Sequence, residues 1–72
     1  MTIGKKIKFV RKLRKMTQQE LGVAVGLEEK GAANRIAQYE CDYRVPQKDM
    51  LIDMAKAMDI NPLNFVSEVP GS

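Results

Sequence analysis

Ile3, Ile7, Val10 and Leu13 recur at the i, i+4, i+7 spacing of an amphipathic helix and predict one over residues 3–15, capped by Thr2, with Phe9 off the main stripe. Thr17 followed three positions later by Glu20 is a capping box, so a second helix opens at once. It runs to about Val25 with Leu21 and Val25 inward, and Gly26 supplies the left-handed residue that ends it. Gly22 costs about 1 kcal/mol inside a helix, a cost offset if another helix packs close against its backbone. Residues 28–31, Glu-Glu-Lys-Gly, form a polar connection. A third helix starts at Ala32 or Ala33 and reaches about Glu40, placing Ile36 and Tyr39 inward and Asn34, Arg35 and Gln38 outward. Cys41 to Pro46 is a loop, because proline disfavours helix at the preceding Val45. A fourth helix over 48–59 buries Leu51, Met54, Ala55 and Met58, and the stripe Met50, Met54, Met58 reads as core. Asn61-Pro62, a cap followed by an N1 proline, opens a short fifth helix from Leu63 to Val66. The segment 67–72, with Pro70 and Gly71, reads as a flexible tail or the start of a linker.

Composition narrows the class. Seventy-two residues hold one domain with a small core, and the helix formers among them fit an all-α fold. No apolar run approaches the ~18 residues of a membrane span, and the start MTIGKKIKFV lacks the apolar stretch of a secretory signal. A single cysteine, Cys41, excludes an internal disulfide and suits a reducing cytoplasm. Catalysis has no candidate residues: there is no histidine, no metal-ligand cluster and no phosphate-cradling glycine loop, so the expectation is a non-enzyme without cofactor.

Charge is the sharper fact. The net value of +3 hides seven bases and no acid in the first sixteen residues (Lys5, Lys6, Lys8, Arg11, Lys12, Arg14 and Lys15), against five bases and nine acids in the remainder. Such polarity points to an anionic partner, nucleic acid or an acidic membrane surface; the plain alternative is a solvated lysine-rich face. The membrane option is weakened because Ile7 and Val10 match core positions and cannot serve lipid as well.

The punctuation as a whole resembles the Cro/phage-repressor (Xre-type) helix-turn-helix family. The residues carrying the resemblance are Ile7, Val10 and Arg11, then Thr17-Gln18-Gln19-Glu20-Leu21-Gly22, Val25-Gly26-Leu27, Ile36, Tyr39-Glu40, Arg44, Pro46, and Leu51 through Ala55 to Met58, so it spans about residues 3–66. It implies a compact five-helix domain over 1–66 with a recognition helix at about 32–40. Two positions depart from the family. Ten residues separate Gly26 from Ile36 where six are usual, so the turn is four residues longer, and Asp42 stands where the third helix usually ends in glycine.

The resemblance also assigns roles. Base reading falls to Ala33, Asn34, Arg35 and Gln38; asparagine and glutamine can bond adenine bidentately, arginine guanine, and alanine can lie on a thymine methyl. Phosphate contacts fall to Thr17 and Gln18 at the start of the second helix, where free N–H groups favour anions, and to Arg44 and Lys48 before the fourth. Arg11 and Glu40 are implied as an ion pair tying the first helix to the end of the third. The implied partner is double-stranded DNA, bound as a homodimer on a two-fold symmetric operator with half-sites about 10–10.5 base pairs or a multiple apart, by a transcriptional regulator of repressor type from a bacterium, phage or mobile element. Leu63, Phe65 and Val66 are candidates for the dimer contact, unless Leu63 and Val66 simply close the core. The rival is a protein-interaction module of the same fold, antitoxin-like or anti-repressor, for which the acidic Glu28-Glu29 is the best argument.

Overall fold

The computed structural model describes residues 2–66, which form five α-helices and one 3-10 turn. In order these are α1 (Ile3–Leu13), α2 (Gln18–Ala24), the 3-10 turn Glu29–Gly31, α3 (Ala32–Glu40), α4 (Lys48–Ala57) and α5 (Leu63–Val66). α3 lies centrally, packed against α2 and α1, while α4 closes over α2 and α5 over α4. Among the described residues no helix is long and apolar enough to cross a membrane. The expectations for residues 67–72 and for the Val66 side chain lie outside the described residues.

The core is the one the periodicities select: Ile7, Leu21, Ile36, Leu51, Met54, Ala55 and Met58 are inaccessible or nearly so, with Val10 and Tyr39 at its edge. Two apolar residues stand elsewhere than expected. Leu13 continues the α1 stripe by spacing but is 64% exposed, because the helix ends there and the chain turns before the position can be covered. On α5, Phe65 is fully buried and closes the core, while Leu63 is 66% exposed. In a four-residue helix only one side faces inward, and the Asn61 cap sets which: its Oδ1 accepts from Leu63 N–H at 3.0 Å.

The first four helices end by one device. At each C-terminus a residue in the left-handed region lets the following N–H reach back to the carbonyl five residues earlier: Met16 to Arg11, Leu27 to Gly22, Tyr43 to Gln38 and Ile60 to Ala55, at 2.9–3.0 Å. The left-handed residues are Lys15, Gly26, Asp42 and Asp59. This Schellman geometry satisfies carbonyls that a helix end leaves orphaned. It also shortens three predictions: α1 stops at Leu13, not residue 15, α2 at Ala24 with Val25 as its cap, and α4 at Ala57, not residue 59. Glycine marked only one of these four ends.

Candidate nucleic-acid interface

The site is built from α2, α3 and the segment between them. α2 opens on the expected box: Glu20 N–H donates to Thr17 Oγ1 (3.0 Å) and Thr17 N–H donates to Glu20 Oε1 (2.8 Å). Gly22 is where α2 meets α3. A Cβ there would lie 2.5 Å from the Ala32 Cβ and 2.9 Å from its carbonyl carbon, so the two helices touch with no side chain between them.

The connection between α2 and α3 is held by a residue to which the sequence assigns no separate task. Gln19 on α2 donates from Nε2 to the Glu29 carbonyl (2.8 Å) and accepts at Oε1 from Ala33 N–H (3.3 Å). α3 has no side-chain cap of its own, since Gly31 stands at that position; Gln19 supplies one from across the turn. A glutamine side chain beside a helix start has no sequence signature that separates this use from solvent exposure.

The far end of α3 is fixed by charge. Glu40 is buried and accepts from Arg11 Nε (2.5 Å) and Nη2 (3.2 Å) and from Gln18 Nε2 (3.0 Å), while Arg11 Nη1 donates to the Met16 carbonyl (2.7 Å). A second carboxylate works beside it. Asp42 accepts from Gly4 N–H at Oδ1 (3.1 Å) and from the Thr2 hydroxyl at Oδ2 (2.7 Å), so the residue ending α3 also caps α1. Gly4 is required for that approach, because a Cβ on it would strike the Tyr39 carbonyl oxygen and lie 2.8 Å from that of Glu40. The positive end of α1 thereby meets the negative end of α3, a favourable alignment of helix dipoles. Neither Gly4 nor the Asp42 carboxylate stood out in the sequence as a bridge.

The nominated reading residues separate into three positions. Asn34 and Gln38, four apart, form one ridge on the side of α3 opposite Ile36, with Asn34 exposed and Gln38 half-buried. Arg35 turns aside into a groove lined by Tyr39, Arg44, Val45, Gln47, Asp49 and Asp53. Ala33 sits on the α2 side, its N–H held by Gln19.

Gln38 is not free to take any orientation. Its Oε1 accepts from Arg44 Nε (3.1 Å), and because guanidinium only donates, the amide nitrogen is turned outward. Of the nominated phosphate residues, Thr17 and Gln18 are engaged internally but keep a hydroxyl proton and a second amide proton; Arg44 steadies Gln38; Lys48 is exposed at the start of α4. The α2 N-terminus is less open to anions than its sequence suggests, since Glu20 occupies part of it. Among the described residues no group of three or more acidic, histidine or cysteine side chains could hold a metal ion.

Compared with models of known protein families, with curated proteins and with solved structures, the chain finds no match.

Proposed function

We propose that this domain reads double-stranded DNA by sequence, with α3 in the major groove, and acts as a cytoplasmic transcriptional regulator of the phage-repressor type rather than as an enzyme. The observation that carries the reading is how folding disposes of charge around α3. Residues 32–44 contain two carboxylates, and both are engaged within the domain: Glu40 is buried against Arg11 and Gln18, and Asp42, though exposed, accepts from Thr2 and Gly4 at the start of α1. What remains is Asn34 and Gln38 on the outward ridge of α3, with Arg35 in the neighbouring groove and Arg44 in the loop that follows: donors and cations, with no acid on the ridge itself to repel phosphate.

In this reading Gln38, its oxygen held by Arg44, presents amide protons to acceptors on a base edge, with one oxygen lone pair left for adenine N6. Asn34 reads one turn nearer the front of the helix. Lys48, Arg44 and the Gln18 amide grip phosphates on either side. One copy spans too few base pairs for a unique address, so a homodimer on a two-fold symmetric operator completes the proposal, with the exposed Leu63 as a candidate contact.

The test is selection from a random duplex library near physiological salt, with the wild-type chain and with Gln38→Ala. A two-fold symmetric motif that loses one base preference in the variant supports the reading. Lys48→Ala should instead weaken all duplexes alike and lower the salt slope by about one. No enrichment, with binding that vanishes as salt rises, overturns it in favour of a protein partner.

A further inference from the structure

The largest charge cluster in the chain is not accounted for by the α3 interface. α1 turns Ile7, Gly4 and Arg11 inward, the last two against the end of α3. Phe9 is two residues from Ile7, about 200° around the helix, and so faces away from α3. It is 58% exposed, and Leu13, one turn along the same ridge, is 64% exposed. Lys5 precedes them on that ridge, Lys8 and Lys12 lie along its flank, and among the described residues none of the three is in an ion pair. The result is a short apolar ridge with a basic flank, on the face of α1 turned away from α3.

Each kind of anion fits this face differently. Phosphodiester backbone would satisfy the lysines but leave Phe9 and Leu13 against a hydrated surface. A lipid interface needs a broad apolar face, and the broad face of α1, made by Ile7 and Val10, is already in the core. A helix with apolar residues at i and i+4 bordered by Glu or Asp matches both features, since ridges at four-residue spacing interdigitate and the borders pair in charge.

We propose that the outward face of α1 docks an acidic amphipathic helix of a partner protein, with Phe9 and Leu13 as the apolar anchors and Lys5, Lys8 and Lys12 as the border that selects it. The site is separate from the α3 interface and does not depend on it.

The probe is a synthetic helical peptide with leucines at i, i+3, i+4 and i+7 and glutamates on both flanks, titrated by fluorescence anisotropy at about 150 mM salt. A scrambled peptide of equal composition and anionic phosphatidylserine vesicles serve as comparisons. Phe9→Ser is expected to weaken the helical peptide about ten-fold or more, from the lost burial of an aromatic side chain, while thermal unfolding is unchanged because the residue is exposed. Lys8→Glu with Lys12→Glu should abolish binding, and a peptide with lysines in place of glutamates should restore it. Equal binding of the scrambled peptide, indifference to Phe9→Ser, or Phe9-dependent binding to vesicles in preference to the peptide would each overturn the proposal.

Discussion

The two ends of α3 are secured by different means. Its C-terminal end is locked by two carboxylates, Glu40 and Asp42, which together accept five hydrogen bonds from Arg11, Gln18, Thr2 and Gly4. Its N-terminal end follows a glycine, takes one side-chain hydrogen bond from Gln19, and packs the fully buried Ala32 directly on Gly22. Ridge residues Asn34 and Gln38 lie between them. Charge and hydrogen bonds fix one end of α3 and close apolar packing the other, so the direction of the ridge is set by two unlike kinds of contact.

The comparison breaks most visibly at Glu40. Glu40→Ala leaves Arg11 buried without its partner and should cost about 3–5 kcal/mol in urea denaturation, enough to unfold much of so small a domain. Replacing both partners, Arg11→Met with Glu40→Leu, should recover most of that loss; if it does not, the pair contributes more than relief of its own desolvation. Gly4→Ala and Gly22→Ala come next, each forcing a Cβ into neighbouring backbone at a cost of about 1–3 kcal/mol in the same assay.

Two aspartates then sharpen the contrast, since both hold the left-handed position at a helix end. Asp59→Gly should raise stability by about 0.5–1 kcal/mol, because glycine takes that conformation without a Cβ penalty. Asp42→Gly should lower it by about 1 kcal/mol, as two hydrogen bonds to α1 outweigh the same relief. Thermal melts that moved in the same direction would show that the Thr2 and Gly4 bonds add nothing. The smallest effect belongs to the N-terminal end: Gln19→Ala should cost about 0.5–1.5 kcal/mol and raise amide exchange at Ala33 and its neighbours, with α3 protected near Glu40.

Much of the fold is legible in the chain because it is written locally. Thr17 with Glu20, Gly26, and Asn61 before Pro62 are short-range signals, and each marks a helix end that the structure contains. Core residues such as Leu21, Ile36 and Leu51 follow from helical spacing within single elements. Leu13, expected inward, and Phe65, expected as a dimer contact, depart from their places because they sit at or near helix termini, where spacing no longer determines what covers a side chain. The Arg11–Glu40 contact came through resemblance, not spacing, as its partners are 29 residues apart. The Asp42 bridge to Thr2, at 40 residues, had no such guide. The same holds for the candidate site: polarity indicated the outward ridge of α3, but nothing in sequence aligns Arg44 with the Gln38 oxygen or Gln19 with Ala33.

The Asp42 bridge has a consequence for the order in which the chain can acquire its structure. Synthesis runs from Thr2 toward Asp42, so α1 leaves the ribosome before the carboxylate that completes its amino end exists. Until then its Gly4 amide can only be satisfied by water, and the helix is too short to persist alone. α1, made before α3, is therefore completed only when the end of α3 reaches it, and the formation of the two helices is tied together.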